Sequence, residues 1–369
     1  MTVALILSGG GARAAYQVGV LRGVAQIVRQ NRMPFSIICG TSAGAINAAH
    51  LCAWADRPAE GVERLYEFWS GLRAADVYKT TWNSVLSRMG QVVWGVLRGI
   101  NDDIPSAVLD NSPLEARLSR WLDFDAIHRN IDRGALDVLA INAMNYTTGE
   151  SVAFHEGKGT LTWQRAHRCG RPARLSMDHI MASSAIPILF PPRRMEGHYF
   201  GDGALRQLNP LSPALHLGAR RLFIIGVSAN RHPRETTVQD QPPTIAQMAG
   251  HLLNREFIDN LEADIEHAEK INRLILSTGM TSSEVPGTNS VDIFVVTPSI
   301  SFDEAASRYL HRQPASMRLL FRLIGARGHG AGASFASYLL FDGGFLNELM
   351  DTGYRDAMEL AAEIGAFLE

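Results

Sequence analysis

Gly40-Thr41-Ser42-Ala43-Gly44 spells G-x-S-x-G, a spacing that can turn a serine hydroxyl into a nucleophile. The reason is steric. The serine occupies a tight, strained turn, and a Cβ two residues to either side would crowd the neighbouring backbone. Such a turn lifts the Ser42 hydroxyl clear of a sheet, and amide dipoles at the following helix start favour a developing negative charge. In a chain with 33 glycines the motif alone is weak. Its setting strengthens it: an apolar strand-like run, Phe35 to Cys39, precedes it, and an apolar helical run, Ala43 to Ala55, follows. The alternative is a serine that caps a helix after a turn and does no chemistry.

Gly9-Gly10-Gly11-Ala12-Arg13 offers a second chemical element. A glycine-rich turn exposes backbone N–H groups, and two donors aimed at one point make an oxyanion hole. The rival is dinucleotide binding, because Gly9-x-Gly11-x-x-Ala14 also fits G-x-G-x-x-A. That use needs an acidic residue about twenty positions later for the ribose, and no Asp or Glu occurs before Asp56. Arg13 anchors the loop, meets substrate charge, or is a surface arginine at a helix end; its type allows all three.

Asp202-Gly203-Ala204 is by itself only a turn signal. It follows Tyr199-Phe200-Gly201 and precedes Asn209-Pro210-Leu211. With the three elements in this order, the chain resembles the patatin-like phospholipase family. That family's pattern is a glycine-rich oxyanion loop, a G-x-S-x-G elbow and an Asp-Gly-Gly or Asp-Gly-Ala motif. Ala182-Ser-Ser-Ala-Ile-Pro187 is similar to the family as well, and the resemblance spans roughly Val3 to Val227. One departure is Ala14, where the family often has glycine.

The resemblance implies a Ser–Asp dyad, with Ser42 as nucleophile and Asp202 as its base. It places the oxyanion hole in Gly9, Gly10 and Gly11, with the Gly10 and Gly11 amides as donors. Arg13, Gly40, Gly44, Gly203 and Ala204 would support these motifs. It implies phospholipid or acylglycerol esters as substrates and no cofactor. A carboxylate with an ordinary pKa of about 3.9 is a weak base, so the dyad needs an apolar pocket around Asp202. The competing triad needs a histidine after Asp202, such as His251, His311 or His329, and none of these sits in a recognisable motif. A non-catalytic lipid- or metabolite-binding protein of the same fold is the alternative function.

These residues must be positioned by elements. Val3 to Leu7 is an apolar run ending at glycines, which reads as a buried parallel strand. Helical spacing runs from Ala14 to Val28. Further strands are expected at Leu136 to Ile141, Val152 to Phe154, Leu222 to Val227 and Asp292 to Val296. Tyr199-Phe200 would deliver Asp202 to an edge of the same sheet. Alternating strand and helix predict a three-layer α/β/α fold with a mainly parallel central sheet. Residues 1–230 form the catalytic core, with a helical insert at about 65–130. Residues 231–369 form a mostly helical extension with one strand near 291–297, packed on the core.

A net charge of −2 argues against nucleic-acid binding. The three cysteines, Cys39, Cys52 and Cys169, fit no metal or redox spacing. No H-E-x-x-H occurs, and Glu262, Asp264, Glu266 and Glu269 read as a solvated helix face rather than a metal site. Val3 to Leu7 is too short for a signal sequence, and Met33 to Ala55 contains Pro34, Asn47 and His50, so neither is a membrane segment. The expectation is a cytoplasmic protein, with signal-free secretion as the other route. Val85 to Ile100, rich in valine with Met89 and Trp94, is either a lipid-contacting cap or a core-facing helix. The first reading implies transient contact with a membrane surface. Arg165, Arg168, Arg171 and Arg174 read as a solvated loop, or as contacts for anionic headgroups. Oligomeric state, headgroup and acyl position leave no mark in the sequence.

Overall fold

Strand β1 (Val3–Leu7) is buried from end to end, and its side chains divide between two cores. Val3, Leu5 and Leu7 join a large apolar cluster, while Ala4 and Ile6 join a smaller one on the opposite face. A strand covered on both faces must be apolar throughout, which is why β1 shows no polar alternation. The computed structural model that reveals this describes residues 2–29, 32–81, 90, 107–157, 162–228, 242, 244–278, 290–326 and 331–369.

The other strands are β2 (Ile37–Thr41), β3 (Val138–Asn145), β4 (Glu150–Gly157), β5 (Trp163–Arg165), β6 (Arg168–Pro172), β7 (Arg193–Met195), β8 (His198–Asp202), β9 (Arg221–Ile225) and β10 (Asp292–Val296). They form one sheet in the order β10-β9-β1-β2-β3-β4-β6-β5, with β8 also on β3 and β7 on β8. The run from β10 to β3 is wholly parallel; β4, β5 and β8 supply the antiparallel pairs. Helices cover both faces, so the fold is the expected three-layer α/β/α.

On the large-core face lie α1 (Ala15–Val28) and α2 (Ala43–Ala53), followed in the chain by α3 (Pro58–Ser70), α4 (Ala74–Val77), α5 (Ser112–Trp121), α6 (Phe124–Arg133) and α7 (Met177–Ser183). The other face is covered by α8 (Ser212–His216) and residues such as Leu261 of the helical stretch that includes α9 (Ile245–Asn254) and α10 (Asn260–Thr278). That stretch is not one helix: a π-helical turn, Arg255–Asp259, interrupts it. Then come α11 (Phe302–Tyr309), α12 (Ala315–Leu323), α13 (Ala331–Leu339), α14 (Gly343–Glu359) and α15 (Ala361–Leu368).

The chain after residue 230 is woven into the sheet layer. Strand β10 extends the parallel sheet beyond β9. Helix α14 crosses α1 so closely that a Cβ at Gly19 would lie 1.9 Å from the Met350 carbonyl oxygen, and one at Gly353 2.2 Å from that of Tyr16. Two readings need correction. The arginine-bearing stretch at Arg165–Arg174 is not a solvated loop but largely the β5–β6 hairpin, which pairs on β4. Asp264 is not on a solvated face. It is buried, and its carboxylate accepts from Asn209 Nδ2 at 3.2 Å and from the Leu211 amide at 2.9 Å. None of the helices among the described residues is long and apolar enough to cross a membrane.

Candidate active site

Ser42 joins β2 to α2 with φ 56° and ψ −127°. A non-glycine residue in the left-handed region is strained and needs surroundings that enforce it. The two motif glycines allow those surroundings. A Cβ at Gly44 would meet the Leu7 carbonyl oxygen at 2.3 Å and that of Ser8 at 2.7 Å; one at Gly40 would meet the Gly44 oxygen at 2.6 Å. The Ser42 amide donates to Ser183 Oγ at 2.8 Å, and Ser183 Oγ–H donates in turn to the Asn142 carbonyl at 2.6 Å. Ser42 does not cap its helix with its side chain, so the capping alternative fails.

Its hydroxyl instead donates to Asp202 Oδ2 at 2.6 Å across 160 positions of sequence. The sheet explains how. Strand β2 ends with Thr41 opposite Asn142 on β3, and β8 ends with Asp202 opposite the next residue, Ala143. The two strands run toward each other along the same side of β3 and meet end to end. Asp202 is therefore delivered to the middle of the sheet, not to its edge, because β8 takes over β3 where β2 leaves it. Gly203 makes the junction fit: a Cβ there would lie 2.1 Å from the Asn142 carbonyl oxygen. Asp202 Oδ1 accepts from the Ala204 amide at 3.0 Å.

Ser42 is 2% exposed and Asp202 1%. Burial pushes the Asp202 carboxyl up to about 7, with a further push from the negative field of Glu256; the hydrogen bonds from Ser42 and Ala204 oppose it. Desolvation dominates, and among the described residues no cation pairs with the group. A carboxyl poised near neutrality is matched to proton transfer.

The loop Gly9–Gly11 runs beside the serine: a Cβ at Gly9 would stand 3.0 Å from Ser42 Cβ. Each glycine is closed off by a different residue. The Phe257 ring would lie 2.2 Å from a Gly9 Cβ, Val227 Cγ2 3.0 Å from one at Gly10, and the Tyr338 carbonyl oxygen 2.2 Å from one at Gly11, whose φ is +54°. Arg13 proves to be an anchor, 2% exposed. It donates to Asp303 Oδ1 at 2.6 Å, Ser337 Oγ at 2.7 Å and Ser334 Oγ at 3.0 Å, and its guanidinium lies 4.0 Å from the Tyr338 ring centroid.

An apolar cleft opens on Ser42, lined by Gly11, Phe68, Leu72, Leu114, Ile186 and Phe341 among others. Its cavity is about 30 Å³. Phe190 and Tyr338 also face it. The segment read as a cap, Val85 to Ile100, lies outside the described residues apart from Gly90, and so does His329. His251 and His311 are exposed, and among the described residues neither bonds to Ser42 or Asp202. His50, on the elbow helix, gives its Nε2 to the Gly61 carbonyl at 2.9 Å and is pushed down to about 4 by burial. No cluster of metal ligands occurs among the described residues.

Sequence reasoning missed Asn142 and Phe257. Ser183 sat in a segment singled out as family-like, but its bond to the Ser42 amide was not foreseen. Nothing local marks Asn142 or Phe257, because each acts only through what the fold brings to it.

Compared with known proteins, residues 5–215 match the family model described as patatin-like phospholipase. No curated protein matches the chain. Among experimental structures, the crystal structure of VipD from Legionella pneumophila is similar over 98% of this chain and 67% of that one, at 14% identity and a TM-score of 0.36.

Proposed function

The chain belongs to the patatin-like phospholipase family, and from that premise we propose that it is a serine acyl hydrolase of lipid esters working through a Ser42–Asp202 dyad. One observation carries the reading: the 2.6 Å hydrogen bond from Ser42 Oγ to a carboxylate that is itself buried.

The chemistry follows from the geometry. As Ser42 Oγ attacks the ester carbonyl carbon, its proton passes along the existing hydrogen bond to Asp202 Oδ2. The carbonyl oxygen becomes an oxyanion, which the Gly10 and Gly11 amides would hold. Collapse expels the alcohol, which takes the proton from Asp202, and leaves an acyl group on Ser42. Water then attacks the acyl-enzyme with Asp202 as base, releasing the acid. The apolar cleft at Phe68, Leu114 and Phe341 suits an acyl chain, which would enter by parting side chains that now nearly close it. No cofactor takes part, and contact with a membrane surface would be transient.

The test is hydrolysis of a panel of phospholipids and acylglycerols followed by mass spectrometry, with Ser42→Ala beside the wild type. Loss of Ser42 should reduce turnover by at least ~10³-fold with the thermal midpoint unchanged, and a fluorophosphonate should label Ser42 alone. Wild-type turnover in the variant, or labelling at another residue, would remove Ser42 from the mechanism.

A further inference from the structure

Behind the catalytic turn, on the sheet face opposite α1 and α2, a second and smaller cavity lies between the β4–β6–β5 edge and the stretch from Arg206 to Pro213. Trp163, His167, Arg168, Arg206, Gln207 and Asn209 are among its lining residues, and no carboxylate is. Arg168 Nη1 donates to Asn209 Oδ1. Arg168 Nε and Trp163 Nε1 are both buried, and neither has an acceptor among the described residues. Among the described residues Arg206 forms no ion pair either.

Two features make this more than a basic surface. The first is the donor balance. Buried N–H groups without partners are rare in folded proteins and ask for a bound water or ion. Here both belong to residues that line one cavity, and the Arg168 guanidinium forms no ion pair among the described residues. Among the described residues the nearby carboxylates bond neutral amides and not the Arg168 guanidinium: Glu150 accepts from Gln164 Nε2 at 2.7 Å, and Asp264 from Asn209 and the Leu211 amide. The nearby His216 ring, stacked on Trp163 at 4.2 Å, has its pKa pushed down by burial and by the Arg165 and Arg168 charges, which favours its neutral form. The second feature is size. The cavity is small, about 20 Å³, against about 30 Å³ for the cleft at Ser42.

We propose that this cavity binds a small inorganic anion of chloride's size, held by Arg168 Nε, Trp163 Nε1 and the Arg206 guanidinium. The site is separate from the ester-binding cleft but coupled to the same turn. Gln207 accepts from Thr41 Oγ1 at 3.0 Å, next to Ser42, and Arg206 ends the 3-10 turn that Asp202 begins.

Crystals of the full chain soaked in sodium bromide should show an anomalous peak beside Arg168 Nε and Trp163 Nε1. The thermal midpoint should rise by ~2 °C or more in sodium chloride relative to sodium gluconate at equal ionic strength. Arg168→Gln should abolish that difference, and Arg206→Gln should weaken it. An absent bromide peak, equal midpoints in the two salts, or an undiminished rise in Arg168→Gln would each overturn the proposal. So would a rise in phosphate without one in chloride. If Arg168→Gln does not fold, the bromide peak and the Arg206→Gln melts decide alone.

Discussion

The serine turn and the glycine loop lie side by side, and they are held in different ways. The turn is held from inside the family-matched region: the Leu7 and Ser8 carbonyls against Gly44, Ser183 on the Ser42 amide, Asn142 against Gly203. The loop is held from outside that region. Phe257 closes Gly9, the Tyr338 carbonyl closes Gly11, and Arg13 is tied to Asp303, Ser334 and Ser337. The half proposed to transfer the proton is thus held within the α/β core, whereas the half proposed to stabilise charge takes its shape from the chain beyond residue 215. If the proposed roles hold, a matching core alone would not be sufficient for activity in this protein.

Damage to the first half should cost the most activity. On the proposed dyad, Asp202→Asn removes the acceptor for the serine proton and should slow turnover by about 10²- to 10⁴-fold. Alanine variants of His251, His311 and His329 should leave the rate unchanged; a folded histidine variant as slow as Asp202→Asn would replace the dyad with a triad. In the wild type the rate should rise with pH through about 7 as Asp202 deprotonates. Stability should move the other way. The folded pKa lies above the unfolded one, so the protonated carboxyl favours folding below the unfolded pKa, and that contribution is lost as pH rises through about 7. Melts of Asp202→Asn should accordingly gain on the wild type between pH 4 and 7 and then run parallel to it.

Damage to the second half should show in stability as well as rate. Arg13→Gln strips a partner from a mostly buried ion pair and should destabilise by about 3 kcal/mol, with kcat falling more than KM changes. Denaturant melts and steady-state kinetics would measure both; a destabilised variant with normal kcat would make the brace structural only. Gly11→Ala forces a side chain into a left-handed position against the Tyr338 carbonyl and should destabilise by about 2 kcal/mol. Gly10→Ala should have the smallest effect on stability, under about 1 kcal/mol, because the Val227 methyl at 3.0 Å can give way. If Gly10→Ala proves worse than Gly11→Ala, the loop is not braced as described.

The contrast also explains what could be read from the sequence. Val3–Leu7 and Asp292–Val296 match the expected strands residue for residue, since each is a short apolar run bounded by breaks. The second strand was expected at Phe35 to Cys39 and occupies Ile37–Thr41, a shift that an apolar run without alternation cannot prevent. The elbow was legible because its constraint is local: glycine, two residues away, on each side. The meeting of β2 and β8 on β3 was not, because register is set by pairing partners far away in sequence. Phe257 and the π-helical turn carrying it were hidden inside a stretch whose spacing suits an ordinary helix. Arg13 was ambiguous for the same reason, as its partners lie 290 to 324 residues away.

The distance from Arg13 to its partners also sets a schedule for biosynthesis. A growing chain that has just released residue 215 from the ribosome already holds Ser42 and Asp202, and domains fold as they emerge. Its glycine loop still lacks Phe257, Asp303, Ser334, Ser337 and Tyr338. Assayed on stalled nascent chains, ester cleavage should stay at background until the segment through Tyr338 has cleared the exit tunnel. The cell's own lipids would then be spared by unfinished copies of the enzyme.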